Sequence, residues 1–400
     1  MKKHAITILS LLSATCLLLP SCEKDDSDFG QYDFSNYSLR SEQGDGDTDT
    51  TTLPDTIALS IVWNGTQATV SGDAGDSVTI SQGATAGDVV ITSTTQRYLQ
   101  LSVSGTGSDG SLLVYSNRMW GLVLNGITLN NPDGPAINNQ CSKALYLTLA
   151  DGTTNSLTDG TTYAERSYDQ KGTLFSEGQI YFQGKGTLNV SGNCKNGIAS
   201  DDYIVFQDGT VSVSVSETGT NGIKVNDGFT MEGGTLAVDV TAPGARGIRS
   251  EARTTFSGGR TTITTSGDCR EETDADGVTD YTSCAGIKSD SLFTMTAGEL
   301  TISSSGDGGK GINCDQNVEF SGGTLDVRTT GTKILAKPKG VKSDTGIILS
   351  GGSFTVQVNK SWACDNGSES SVISGMVTIS GTPAELTLDD DNNKYVRVVF

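Results

Sequence analysis

A repeat of about 25 residues is the feature that most limits what this 400-residue chain can fold into. The apolar residue of a Gly-Ile element recurs as Leu174, Ile198, Ile223, Ile248, Ile287, Ile312 and Val341, at gaps of 24, 25, 25, 39, 25 and 29. A second apolar residue recurs as Phe206, Met231, Phe256, Met295, Phe320 and Leu349, at gaps of 25, 25, 39, 25 and 29. The two registers move together, so the extra residues of the long gaps sit after the third strand of a unit. Each unit carries three short strands, as in Gly222–Val225, Phe229–Met231 and Thr235–Val240. None can bury its apolar face alone, whereas stacked units enclose a common interior. The pattern predicts an all-β chain: a parallel β-helix (solenoid) with about 25 residues per coil and three strands per coil. Glycine, at 50 of 400 residues, and aromatics, at only 6%, suit short strands joined by turns, and no stretch sustains a period of 3.6.

Strand alternation then assigns inward columns. One is Ile198, Ile223, Ile248, Ile287, Ile312 and Val341; another is Ile204, Phe229, Thr254, Phe293, Val318 and Ile347; a third is Val213, Val238, Ile263, Ile302, Val327 and Val356. Between the last two a turn places Gly209, Gly234, Gly259, Gly298, Gly323 and Gly352 where positive φ is expected.

The N-terminus is a separate element. Residues 1–21 have a basic start and a short apolar run, as an export signal does. Leu19-Pro20-Ser21-Cys22 reads as a lipoprotein signal with Cys22 as the lipidated residue, against the competing reading of an ordinary secretory signal. The acidic Glu23-Lys24-Asp25-Asp26 resembles the sorting tag of Bacteroides-type surface lipoproteins, so the expected location is the outer membrane, exposed at the cell surface. Residues 22–55 read as a disordered acidic tether and 56–400 as the folded domain. The net charge of −20, or −22 without Lys2 and Lys3, argues against nucleic acid as a partner. The one histidine, His4, falls in the signal, which removes Ser-His-Asp and Cys-His catalysis and His-ligated metals from the folded part.

Three residues after the Gly-Ile position an acid recurs as Glu177, Asp201, Glu251, Asp290, Asp315 and Asp344, with Asp365 as a looser continuation. One residue after it stand Lys224, Arg249, Lys288 and Lys342, and two after it, facing inward, Ser176, Ser200, Ser250, Ser289, Cys314 and Ser343. The Lys/Arg column can neutralise most of the acids. Beside Glu177 and Asp201 the basic position holds Phe175 and Ala199, so Glu177, Asp201 and Asp202 form a candidate calcium site. A second candidate is the insertion from Cys269 to Cys284, where Asp274, Asp276 and Asp280 give part of a calcium loop that lacks its closing glutamate; a solvated acidic loop is the plain alternative. A Cys269–Cys284 disulfide would pin that loop. Tyr203, Tyr163, Tyr168 and Tyr281 are candidate sugar-binding aromatics, and Trp362 falls at an inward position of the alignment.

The segments "ATVSG", "LVLNGITLNNPDGPAI", "ALYLTLADGTTNSLTDG" and "GTLFSEGQIYFQGKGTLNVSG", with the "GIKSD" coils, resemble a family of bacterial carbohydrate-binding β-helix proteins, similar in architecture to polysaccharide lyases. The resemblance covers about Ile57 to Ile379. It implies a right-handed parallel β-helix, calcium binding, and affinity for plant-type or acidic polysaccharides without established catalysis. The family often has Asp-Asp before Gly-Ile; here those positions read Lys195-Asn196, Thr220-Asn221, Ala245-Arg246, Cys284-Ala285, Gly309-Lys310 and Pro338-Lys339, so no calcium site carries over to them. The expected function is a cell-surface lipoprotein that binds polysaccharide, assisted by calcium and without catalysis. Two alternatives stay open: a calcium-dependent polysaccharide lyase using Lys224, Arg249 or Lys288 as base, and a structural or adhesive surface rod.

Overall fold

The computed structural model describes residues 55–273, 277–368 and 370–400. The expected signal, the Cys22 lipidation site and nearly all of the tether lie outside them, as do Asp274 and Asp276. The described residues form 35 strands and a single 3-10 turn, Gly75–Ser77. No helix among them is long and apolar enough to cross a membrane.

The three inward columns are present in the register read from the repeat. Ile198 pairs with Ile223, Ile223 with Ile248, and so on through Ile287 and Ile312 to Val341, all in parallel strands. The Ile204 and Val213 columns align likewise. Their members are at most 2% exposed, so the interior is continuous from rung to rung. Within it Phe182, Phe206, Phe229, Phe256 and Phe293 stack in sequence, with ring centroids 4.4 Å apart for the first pair and 5.7 Å for the others. Each such aromatic contact is worth about 0.5–1.5 kcal/mol beyond the area it buries. The inward hydroxyl column is bonded to backbone carbonyls, as in Ser200 Oγ to Gly178 O at 2.9 Å and Ser343 Oγ to Gln316 O at 2.8 Å.

The expected architecture needs correction. The chain is all-β, but it is not the expected right-handed parallel β-helix (solenoid) with three strands per coil. It makes two large sheets, one of 21 strands and one of 12, plus a two-stranded hairpin of Arg270–Thr273 with Thr279–Thr282. The second and third strand rows of the repeat belong to one sheet. Thr254–Thr265 and Phe293–Ser304 each run through the glycine corner as a single 12-residue strand, with the register shifting at Phe256, Ser257 and Arg260. Such a bulge bends a strand while its ladder persists, so a corner that reads as a break in sequence becomes a continuous sheet edge. The ladders are also not all parallel. Thr56–Gly65 pairs antiparallel with Gln67–Ser71, Val78–Gln82 with Asp88–Ser93, and Tyr395–Val399 with both Ser353–Val358 and Glu385–Leu388. These pairings occupy strand edges that would otherwise stay open.

The corner glycines Gly209, Gly234, Gly259, Gly298, Gly323 and Gly352 all have positive φ, between 67° and 90°. At Gly323 a Cβ would also meet Gly298 O at 2.6 Å. Gly323→Ala is therefore expected to lower unfolding free energy by about 1–2 kcal/mol or more from backbone strain alone, read as a lower urea midpoint.

Candidate functional site

The outward column next to the inward isoleucines is an ion-pair ladder. Each cation reaches the acid of the following rung: Lys224 Nζ to Glu251 at 3.1 Å, Arg249 to Asp290 at 2.8 Å, and Lys288 to Asp315. Lys288 also reaches Asp290 at 2.8 Å, and Lys342 pairs with Asp344 of its own rung. The column ends earlier than the sequence pattern indicates. Val341 pairs with Cys364 rather than Trp362, so Asp365 is displaced by two residues from the acid column. It is buried and ion-paired with Lys339. Trp362 pairs with Lys339 at the strand start and is partly exposed, not part of the inward column.

Where the ladder lacks its cations, an insertion folds over the sheet. Asp169 O accepts hydrogen bonds from Asn138 Nδ2 at 2.9 Å and Gln140 Nε2 at 3.0 Å, and the Lys171 ammonium lies 5.4 Å from the Phe175 ring centroid. That cover buries Phe175 although it sits at an outward position. The fold-over brings Asp169 to Glu177 and Asp201, with one carboxylate oxygen from each lying within 4.8 Å of the others. Asp202, expected in this set, turns away: it is buried, accepts from Gln179 Nε2 at 2.5 Å and caps the Tyr203 amide at 2.9 Å. The cluster also has a local cation that spacing did not show. Lys171 Nζ bonds Asp169 at 2.7 Å and also bonds Asp201. Burial disfavours the Lys171 charge, but its bonds to Asp169 and Asp201 more than offset this, so its pKa lies above the usual lysine value.

The same insertion forms an open cleft of about 620 Å3, within the roughly 300–1,000 Å3 range of ligand sites, lined by Tyr163, Arg166, Tyr168, Asp169, Gln170 and Lys195. Two of the expected sugar-binding tyrosines thus share a cleft with Asp169, one member of the carboxylate cluster. Tyr163 is anchored: its hydroxyl donates to the buried Asp159 at 2.5 Å, and Lys195 Nζ lies 5.4 Å from its ring centroid. Burial pushes the Asp159 carboxyl upward, and the bond from Tyr163 partly opposes this.

Tyr203 lies in an aromatic strip that sequence reasoning missed. Tyr146 and Tyr181 are adjacent in register and stack with centroids 5.1 Å apart and planes 12° apart; Tyr203 meets Tyr181 edge-on at 5.8 Å, and their hydroxyls are hydrogen-bonded. All three stand on outward positions and are partly exposed. Burial, then Tyr203, raises the Tyr146 hydroxyl to about 12. The available signal was the alternation of Leu145-Tyr146-Leu147 and Ile180-Tyr181-Phe182, which fixes both tyrosines on one face.

Tyr281 and Asp280 lie apart in the Thr279–Thr282 hairpin strand, where Asp280 bonds the Tyr281 amide at 2.7 Å; among the described residues Asp280 joins no metal-type cluster. The expected Cys269–Cys284 disulfide is not formed, and both are free thiols. Cys269 Sγ donates to Asp307 at 3.4 Å and Cys284 Sγ to Ala242 O at 3.4 Å. The hairpin ladder ends at Arg270 opposite Thr282, so both cysteines lie beyond it, and each thiol is buried against a different acceptor.

Burial, followed by the charge of Asp201, raises the Glu177 pKa above its usual 4.5. A carboxyl raised on folding contributes stability that is full below 4.5 and lost as pH rises through its folded value. Glu177→Gln should thus be more stable than the parent at pH 7 and equal to it near pH 4, as read by urea midpoints.

Comparisons with known proteins agree with this site class. A family described as carbohydrate-binding domain-containing protein matches residues 74–244 and 237–333. Among solved structures, the polysaccharide lyase-like protein from C. thermocellum, a gadolinium derivative, is similar in fold, with a TM-score of 0.51 and 24% identity over 70% of this chain and 100% of that one. No curated protein matches. Because the family matches run together from residue 74 to 333, well over half of the 400 residues, the chain belongs to the carbohydrate-binding domain-containing family.

Proposed function

We propose that the chain is a surface lipoprotein whose folded region, residues 56–400, binds polysaccharide without catalysis. The observation that carries this is an outward strip of three partly exposed tyrosines, Tyr146, Tyr181 and Tyr203, of which Tyr181 and Tyr203 follow Glu177 and Asp201 by four and two residues; the carboxylate cluster in turn shares Asp169 with the Tyr163–Tyr168 cleft. Sugar rings have apolar faces that pack on aromatic rings, and hydroxyl groups that pair with carboxylates and amides, so a surface combining these groups suits a glycan chain. Membership of a carbohydrate-binding family supports the same reading. The lipoprotein part rests on residues 1–21 as export signal, Cys22 as lipid carrier and 22–55 as tether, which would place the protein at the outer membrane.

Calcium fits the carboxylate cluster by donor chemistry, since Asp169, Glu177 and Asp201 offer hard oxygen ligands close together. The same carboxylates hold the Lys171 ammonium, which an ion would have to displace. Bound there, calcium would supply charge neutralisation and oxygen coordination for glycan hydroxyls or carboxylates. The lyase alternative gains no support from Lys224, Arg249 and Lys288, because each is engaged in an ion pair with a carboxylate.

A glycan array probed with and without chelator tests the function; absence of signal in both conditions would favour the adhesive rod. Tyr181→Ala should weaken binding of a retained glycan about tenfold, a loss of about 1.4 kcal/mol, and unchanged affinity would remove the tyrosine strip from the site. Calorimetric titration with calcium should show Lys171→Met binding at least tenfold more tightly than the parent; equal affinities would sink the cluster as an ion site.

A further inference from the structure

The outward column that holds Lys224, Arg249 and Lys288 in later rungs is uncharged in the earlier ones. There Val90 aligns with Leu113, Leu113 with Asn138, and Asn138 with Phe175. Phe175 is buried under the insertion, but the three residues before it form one side of a pocket of about 50 Å3. Its other sides come from the loop at Asn131–Pro135 and from Arg166, Tyr168 and Gln170. The last three also line the Tyr163 cleft, so a molecule seated in the cleft lies beside the pocket.

Size restricts the occupant first. Taking roughly 10–15 Å3 for each water-sized sphere, the pocket has room for about three to five non-hydrogen atoms. A pyranose ring is too large, whereas a single substituent on one is not. The charged groups around the pocket already have partners: Asp88 accepts from Ser111 Oγ at 2.7 Å and from the Thr85 amide at 2.8 Å, and Arg166 pairs with Asp133 at 3.1 Å. A charged substituent would gain little there, and a neutral one is favoured. Two polar atoms remain open. Gln170 commits Nε2 to Ala164 O at 2.9 Å, which leaves Oε1 as an acceptor. A Cβ on Gly134 would approach that oxygen to 3.0 Å, so the glycine keeps it accessible from the pocket. Among the described residues the Tyr168 hydroxyl has no hydrogen-bond partner. Val90 and Leu113 supply an apolar floor. One acceptor, one donor and an apolar floor match an amide that ends in a methyl group.

We propose that this pocket takes the acetamido group of a 2-acetamido-2-deoxy sugar, while the ring that bears it lies in the neighbouring cleft. The acetamido N–H donates to Gln170 Oε1, its carbonyl accepts from the Tyr168 hydroxyl, and its methyl rests on Val90 and Leu113. An O-acetyl ester has similar bulk but no N–H, and leaves Gln170 Oε1 unanswered. The assignment names a substrate class for the polysaccharide-binding reading and rests on that reading.

The full chain is titrated by calorimetry with N-acetylglucosamine and its β-1,4-linked hexamer, with cellohexaose, which carries hydroxyl groups in place of acetamido groups, and with O-acetylated cellohexaose. The acetamido hexamer should bind at least about tenfold more tightly than cellohexaose and at least about threefold more tightly than the ester. Val90→Phe, which fills the pocket from its floor, should bring the acetamido hexamer and cellohexaose within about twofold of each other. Gln170→Leu should erase the preference over the ester. Melting curves check both variants, and if Val90→Phe is unfolded, Gln170→Leu decides. Equal affinity of the acetamido hexamer and either comparison hexamer, a preference that survives in every folded variant, or no binding of either acetamido sugar overturns the pocket. A glycan array is read in parallel. Retention of other glycans without the acetamido preference leaves the function standing and removes this pocket. Binding of N-acetylglucosamine that Val90→Phe abolishes, with no polymer retained, does the reverse.

Discussion

Backbone pairing between strands one repeat apart decides which side chains in this protein meet. Ile198 touches Ile223 and Arg249 reaches Asp290 because parallel ladders hold rungs 25 and 39 residues apart in register. Side chains alternate across each strand, so a slip of one residue would exchange the inward isoleucines Ile223, Ile248 and Ile287 for the charged Lys224, Arg249 and Lys288. The corner glycines protect that register: each adopts a positive φ that other residues resist, and each fixes where the chain turns relative to its neighbours.

Long repeat gaps are absorbed without disturbing this order, and the absorbed segments build the functional surface. Segment 160–171 crosses the outward face of the sheet, buries Phe175 and carries Asp169 to Glu177 and Asp201. The hairpin of Arg270–Thr273 and Thr279–Thr282 ends at Ser283, which accepts from Lys310. A ladder that needs only its own strands leaves the insertions free to vary without disturbing the register.

Two cation columns illustrate how charge is handled on such a scaffold. Lys224, Arg249, Lys288 and Lys342 stand among acids at every rung, and that column is structural neutralisation. Among the described residues, Arg246 and Lys310 bond neutral acceptors, Gly244 O and Ser283 Oγ, and burial lowers the pKa of both. Exposed ion pairs add little stability, about 0–1 kcal/mol each, so the matched column matters more for keeping like charges apart than for holding the fold.

The columns of inward residues, the turn glycines and the ion-pair ladder were all legible in the sequence, because each depends only on spacing and strand parity. Errors arose where the chain departs from the repeat. Trp362 and Asp365 were misplaced by two residues, since putting Trp362 in the inward column takes the last interval as 21 residues, whereas Val341 to Cys364 is 23. Tyr146 stands in a rung outside the Gly-Ile count, and Lys171 enters its cluster only through the fold-over of an insertion. Spacing placed Cys269 and Cys284 at the two ends of a loop; in the fold each thiol finds its own acceptor, Asp307 and Ala242 O, and no disulfide joins them.

Local chemistry in the sequence determined the all-β character, the inward columns and the charge pattern, since alternation, glycine turns and repeat length act over short range. Tertiary structure alone decided that two strand rows merge through bulged corners into one sheet, and that Asp169 and Lys171 join Glu177 and Asp201. Those outcomes depend on how a corner bends and where a long loop lands, which are set by contacts between segments that the linear order keeps apart.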